Sequence, residues 1–376
     1  MKNFLFSTTA LAVAGALTFG SDANAAAKPI VIGLGGFMTH EMGFGENDGS
    51  YENGNTTDTA IGDKRATFNN VQDSEVYFTG STKLDSGVTV SVTIQLEADQ
   101  SSSGQNIDES YMKLTGGFGD LRLGSTTGTN SVLKHVAPNV GQHPRLGGSD
   151  AYISVPTAVG ASNSTDANTS GDANKIGYIS PVIGGGLRFG ISYTPSTSNV
   201  NTAAITGGTA AEGNGIVEGA ISFETAVGTS SVKADIAMEE RDNDTRAYRA
   251  GLNVGFGGWT VGGSILTRID RLTTRKNSAT SLKGNAYDLG VTYAMGAYKF
   301  GLTKAYGEQV DGASAGVNGS TQDEQSKWAA GISYALDTGV TLTATYTGAD
   351  YNDGATSDVT DNNEGHSLVG SIGVTF

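Results

Sequence analysis

His366-Ser-Leu-Val-Gly-Ser-Ile-Gly-Val-Thr-Phe376, the last eleven residues of the chain, reads as one β-strand ending on an aromatic. Leu368, Ile372, Val374 and Phe376 share one parity and Ser371, Gly373 and Thr375 the other, so one face is apolar and its reverse small or polar. A last strand still needs a partner on each edge. Pairing it with the first strand removes both edges, and in lipid that closure is compulsory because no water satisfies loose backbone groups. The reading is an all-β membrane barrel.

The pattern recurs along the chain. Leu84-Asp-Ser-Gly-Val-Thr-Val90 and Leu336-Asp-Thr-Gly-Val-Thr-Leu342 are near copies, each a tight turn that opens into an alternating strand. After the first turn Val88, Val90, Val92, Ile94 and Leu96 alternate with Thr89, Ser91, Thr93, Gln95 and Glu97. At about 3.3 Å per residue and a tilt near 40°, about ten such residues rise roughly 25 Å, the height of a barrel's apolar band. Short turns fall near 84–87, 116–119, 182–186, 226–228, 256–258, 294–297 and 336–339. Between them lie long stretches rich in Gly, Ser, Asn, Thr and Asp at 43–65, 100–107, 127–172, 195–214, 241–245, 271–283, 309–325 and 350–364. Seven turns and eight loops join sixteen antiparallel strands, with short turns on one rim and long loops on the other.

Lys2, the apolar run from Phe4 to Gly20 and the small-residue site Ala23-Asn24-Ala25 read as a signal peptide over 1–25, cleaved before a single barrel domain over 26–376. The remainder has no apolar run long enough for a spanning helix. Absence of Cys excludes disulfide stapling, and a net charge of −15 disfavours nucleic acid, whose phosphates need basic patches.

Elsewhere Tyr248, Ala250, Leu252, Val254 and Phe256 oppose Arg249, Gly251, Asn253 and Gly255, while Trp328, Ile332 and Tyr334 oppose Lys327, Gly331 and Ser333. Trp259, Tyr298, Phe256, Trp328, Tyr346 and Phe376 stand near turns or loop edges, where rings form interfacial girdles. A soluble sandwich would fill its interior with apolar side chains, and the second face here is Gly, Ser, Thr, Lys and Arg. Together with Asp108-Glu-Ser-Tyr-Met-Lys-Leu-Thr-Gly-Gly-Phe-Gly-Asp-Leu-Arg-Leu-Gly124, which looks like the fourth and fifth strands, the chain resembles the general diffusion porins of Gram-negative outer membranes, in the alphaproteobacterial style. That resemblance implies a homotrimer in the outer membrane, contact with its lipid and lipopolysaccharide, and a terminal Phe376 that is part of the signal read by the barrel-assembly machinery.

The resemblance also implies that the third long loop folds inward and narrows the lumen. Residues 127–172 occupy that place, and so long a connection is uncommon without a role. Val132, Leu133, Val136, Leu146, Tyr152, Ile153 and Val155 supply apolar groups for packing on the inner wall, or for a flap over the mouth. Lys113 and Arg122 point inward by strand parity and are the basic candidates at the constriction. Asp150 on the loop is the acidic candidate facing them. The loop departs from the family's pattern of opposed charges by also carrying Arg145, Lys134, His135 and His143, which leaves the ion preference open. Arg188, Arg249 and Arg268 fall on polar faces and read as plain lumen residues, farther from the narrow point.

Catalytic and metal signals are weak. Gly312-Ala-Ser-Ala-Gly316 has the form of a nucleophile elbow without the following helix that would expose its serine. The four histidines form no i, i+4 pair. Asp/Asn clusters at 46–58 and 350–363 miss the EF-hand spacing, which leaves weakly bound divalent cations at the extracellular loops, bridging lipopolysaccharide phosphates. Residues 239–246 read as a polar hairpin tip. The expected function is passive diffusion of ions and small hydrophilic solutes through a water-filled channel, with no cofactor and no catalysis. The alternatives are a substrate-specific channel, which needs an organised lumen site such as an inward aromatic row, and a structural or adhesin barrel.

Overall fold

The computed structural model describes residues 29–54, 67–99, 107–141, 152–156, 158–197, 215–241, 245–270, 283–310, 322–354 and 361–376. The expected signal peptide and the Gly312–Gly316 motif lie outside them. In chain order the strands are β1 (Val31–Asn47), β2 (Phe68–Lys83), β3 (Thr89–Glu97), β4 (Ile107–Gly116), β5 (Gly119–Ser125), β6 (Asn174–Ile179), β7 (Leu187–Thr194) and β8 (Ile216–Val227). They continue as β9 (Ser230–Arg241), β10 (Thr245–Phe256), β11 (Trp259–Asp270), β12 (Gly284–Met295), β13 (Tyr298–Val310), β14 (Gln322–Asp337), β15 (Val340–Asn352) and β16 (Asn363–Thr375). Every strand pairs with its chain neighbours and β1 pairs antiparallel with β16, so the sheet closes. Two short helices, α1 (Gly49–Gly54) and α2 (Thr129–Leu133), lie in loops.

All seven short turns fall where the sequence pattern puts them. In the first, Gly87 N–H donates to Leu84 O at 2.9 Å and Leu84 N–H to Val88 O at 2.8 Å. Gly87 (φ 85°) and its counterpart Gly339 (φ 76°) adopt the left-handed conformation that glycine takes at no steric cost, which is why the two turns are near copies. The first strand starts at Val31 and runs to Asn47, into the stretch expected as the first long loop (43–65), because pairing with β16 continues to Asn47↔Gly365.

The two parities separate as lipid and lumen require. Leu368 is 53% exposed and Ile372 42% on the outer face, whereas Ser367 and Thr345 are 2% exposed on the inner face. Outer rings pair at both ends of the wall: Trp259 with Tyr293 (4.5 Å between centroids) and Tyr298 with Tyr334 (4.8 Å) near the turns, Tyr287 with Tyr306 (5.1 Å) and Trp328 with Tyr346 (5.5 Å) nearer the loops. These are the two girdles of a membrane barrel.

The seam closes at Gly36, whose N–H and C=O each bond the main chain of Phe376 at 3.0 Å. A Cβ on Gly36 would collide with Glu75 O and press on the Phe376 ring, while one on Gly80 would meet its nearest atom, of Ile30, at 3.5 Å. Gly36→Val is therefore expected to destabilise the folded barrel by about 1–3 kcal/mol, seen as a lower urea midpoint and a smaller fraction migrating as the compact form on unheated gels. Gly80→Val should behave as wild type; equal midpoints for the two variants would contradict the seam assignment.

Candidate functional site: the lumen and the loop inside it

In the third long connection the described residues form two legs against inward-facing side chains of the wall, an outgoing one over 126–141 and a returning one over 152–156 and 158–173. A loop with little secondary structure of its own carries N–H groups that need acceptors, and the wall supplies carboxylates. On the outgoing leg Thr127 N–H donates to Glu109 Oε1 (2.6 Å), Asn130 N–H to Glu218 Oε2 (3.3 Å), His135 N–H to Asp235 Oδ1 (2.6 Å) and Ala137 N–H to Asp288 Oδ1 (3.0 Å). On the returning leg Gly160 N–H donates to Asp323 Oδ2 (2.8 Å) and Thr169 N–H to Glu239 Oε2 (2.6 Å). Six carboxylates from β4, β8, β9, β12 and β14 thus take the loop's backbone.

Wall glycines let the loop's main chain come that close. A Cβ on Gly251 would collide with His135 O, on Gly290 with Pro138 O, on Gly331 with Val140 O and on Gly307 with Ser162 O. Gly43 and Gly45 leave the same room for Tyr152. The inward glycines that read as a bare polar face are the bed on which the loop rests.

Apolar contacts complete the docking. Leu133 packs with Ile179, Ala220 and Ala237, Ala167 with Ala247, Leu266 and Ala286, and Ile153 with Val159, Ala161, Ala349 and Tyr351. Burial holds the His135 imidazole pKa below its ordinary value and pushes the Tyr152 phenol up to about 12. Of the apolar loop residues expected on the wall, Leu133, Tyr152 and Ile153 are buried and Val132 packs beside Leu133. Val155 remains exposed, and Leu146 lies outside the described residues.

The two legs are also tied to each other. Lys134 on the outgoing leg pairs with Asp166 on the returning one at 2.6 Å, and Asn168 Nδ2 donates to Ser131 Oγ at 3.1 Å. Arg249, fully buried, donates Nε to Thr165 O (3.0 Å) and Nη2 to His135 O (2.9 Å) while its Nη1 pairs with Asp235. Arg268 reaches Asp166 O at 3.5 Å. These two arginines, expected as plain lumen residues, are part of the loop's support. Glu239 likewise is buried beneath Thr169 and is not a solvated hairpin residue.

None of these contacts falls on β2 or β3. There the inner face carries Phe37 and Tyr77, with centroids 6.3 Å apart across β1 and β2, then Asp73, Glu75 and Glu97, whose carboxylate oxygens gather within 4.8 Å. That trio is the described grouping with the spacing to ligate a cation. Lys113 and Arg122 are direct cross-strand partners on the same inner face, and the Arg122 guanidinium lies 6.0 Å from the Tyr111 ring centre. They sit on the turn side of Glu109, where the loop begins, and the carboxylate trio sits on the loop side. Inward rings on this wall were not expected from parity, since Phe37, Tyr77 and Tyr111 come from three separate strands. Asp150, Arg145 and His143 lie outside the described residues.

At the long-loop rim the two Asp/Asn clusters meet at the seam. Asn363 Nδ2 donates to Asn47 Oδ1 (2.8 Å) and Ser154 O (2.6 Å), and Asp48 N–H donates to Asn363 Oδ1 (3.1 Å). Asp48 caps α1 by accepting Ser50 N–H at 2.7 Å, and these backbone bonds lower its pKa. The described histidines do not converge: His135 is in the lumen, and His366 stacks on Tyr346 outside.

A profile of the Gram-negative porin family matches residues 7–354. Among solved structures the chain is similar to an anion-selective porin from Comamonas acidovorans, at 18% identity and a TM-score of 0.61, over 93% of this chain and 100% of that one. It is similar to the trimer form of OmpT from Vibrio cholerae at 10% identity and a TM-score of 0.59, over 93% and 100% of the two chains. Salmonella typhi OmpF in complex with daunomycin matches at 12% identity and a TM-score of 0.59, over 92% and 97%. No curated protein matches significantly. A closed sixteen-strand barrel, girdled outside and carrying its longest loop along the lumen wall, joins that profile in one conclusion: the chain belongs to the Gram-negative porin family and is an outer-membrane channel for passive diffusion of ions and small hydrophilic solutes.

Proposed function

We propose that solutes pass through an aperture bounded on one side by the docked third loop and on the other by the inner face of β2–β5, without a catalytic step. The observation that carries this reading is the loop's attachment: among the described residues its contacts run from β4 through β16 to β1, which leaves the inner face of β2 and β3 as the opposite side of the passage. Lys113 and Arg122 are the basic side of that aperture, and Asp150 and Arg145, outside the described residues, are the candidate charges of the loop. Asp73, Glu75 and Glu97 form an acidic approach from the long-loop side. Facing fixed charges bias which ions enter a passage of this kind.

The subunits assemble as a homotrimer, in our reading, through the outer face of β1–β5. That face carries Met38, Met42, Phe78, Ile94 and Met112 and, in its described residues, no Tyr or Trp, whereas β10–β15 carry both girdles. Amphipathic rings mark a wall that meets lipid head groups, and a wall without them suits protein. Divalent cations at the long-loop rim would link the acidic rim to lipopolysaccharide, and Phe376 at the seam would serve as the signal read during assembly.

A substrate-specific channel is the second reading, favoured by the inward Phe37, Tyr77 and Tyr111 beside Arg122. In a planar bilayer the general porin is expected to give conductance steps in groups of three, linear in salt. Absence of conductance would overturn the channel's aperture as drawn, and saturable block by a single solute would favour the specific channel. Replacing Lys113 and Arg122 together by Gln should move the reversal potential toward cation preference; an unchanged potential would remove them from the aperture.

A further inference from the structure

Both legs of the third loop converge on one wall side chain. Asp288 of β12 is 3% exposed. Its Oδ1 accepts Ala137 N–H of the outgoing leg at 3.0 Å, together with Ser264 N–H (2.6 Å) and Ser264 Oγ (2.8 Å) of the adjacent strand. Its Oδ2 accepts the Thr165 hydroxyl of the returning leg at 3.1 Å, and Thr165 also contacts Ser264 Oγ at 2.7 Å. Glu218 repeats the arrangement four strands away, taking Asn130 N–H (3.3 Å) from one leg and the Ser170 hydroxyl (2.6 Å) from the other. Glu109, Asp235 and Glu239, among the described residues, each bond the main chain of one leg.

We propose that Asp288, with Glu218 as its counterpart, is a positioning residue that sets the size of the aperture by fixing the spacing of the two legs. This rests on the aperture placed under Proposed function. The geometry separates position from charge. A carboxylate buried under the loop faces no permeating ion, so its effect on transport runs through where it holds Ala137 and Thr165. An amide of the same shape keeps this arrangement: its oxygen accepts from Ala137 and Ser264, and its NH2 donates to Thr165 Oγ, whose own hydrogen turns to Ser264 Oγ. A methyl group keeps none of it and leaves the Ala137 and Ser264 N–H groups buried without acceptors.

The test compares Asp288→Ala, Asp288→Asn and Thr165→Ala in the full chain, by single-channel conductance, the size limit for uncharged polyethylene glycols, and amide exchange of the loop. Asp288→Ala should exchange the amides of residues 135–137 and 164–166 faster by on the order of 10- to 100-fold. Its conductance and size limit should shift upward together, and Asp288→Asn should return all three readouts to near the wild-type values. Thr165→Ala lies on the loop, leaves the barrel strands intact, and should give the same direction with a smaller shift even if Asp288→Ala fails to fold. Unchanged exchange and conductance in the Ala variants would overturn the proposal, as would an Asn variant that behaves like Ala, because charge and not position would then matter. If the Ala variants are silent while Lys113/Arg122 replacement still moves the reversal potential, the aperture reading stands and the positioning role alone fails.

Discussion

The need of every main-chain N–H and C=O for a partner shapes this molecule twice. On the outside, lipid offers no hydrogen bonds, so sixteen strands must close on themselves and β16 must find β1. On the inside the same demand falls on the described legs of the third loop, which lie against that wall. The barrel meets the first with ladder bonds and the second with side chains. Glu109, Glu218, Asp235, Asp288, Asp323 and Glu239 turn inward and take the loop's amides, and glycines beside them make the contact close enough.

This gives the chain's acidity a local meaning. A surplus of carboxylates over basic groups, −15 overall, reads from composition as a diffuse negative field. In the structure six of those carboxylates are committed to loop amides, and Asp235 additionally to Arg249. The inner face of β2–β5 carries a separate set, acidic on the loop side with Asp73, Glu75 and Glu97 and basic on the turn side with Lys113 and Arg122. Net charge is therefore a poor guide to ion preference here, and arrangement along the passage is the better one.

Much of the wall was legible because its rules are local. Alternation over ten residues marks each strand, and the Leu84-Asp-Ser-Gly87 and Leu336-Asp-Thr-Gly339 turns announce themselves by a glycine the backbone requires. The inward direction of Lys113 and Arg122 follows from the same two-residue period. The loop's path was not legible, since it depends on partners far apart in the chain: Ala137 and Asp288 are separated by 151 positions and Gly160 and Asp323 by 163. Arg249 and Glu239 alternate like any polar strand residue, and nothing nearby says that a loop will lie on them. Inward glycines at 251, 290, 307 and 331 carried the one available signal, because a lumen facing only water has no use for a missing Cβ on four separate occasions.

The central claim is that the returning leg of the third loop lies on the inner wall of the working channel, and thiol chemistry can test it directly in a chain that has no Cys. Thr165 Oγ1 and Ser264 Oγ are 2.7 Å apart, so Cys at both positions should form a disulfide in the folded protein under mild oxidation. With the bond formed, its single-channel conductance should match that of the wild type. Failure to cross-link in folded, conducting protein, or a cross-linked channel whose conductance departs from the wild-type value, would contradict a loop docked where the structure places it.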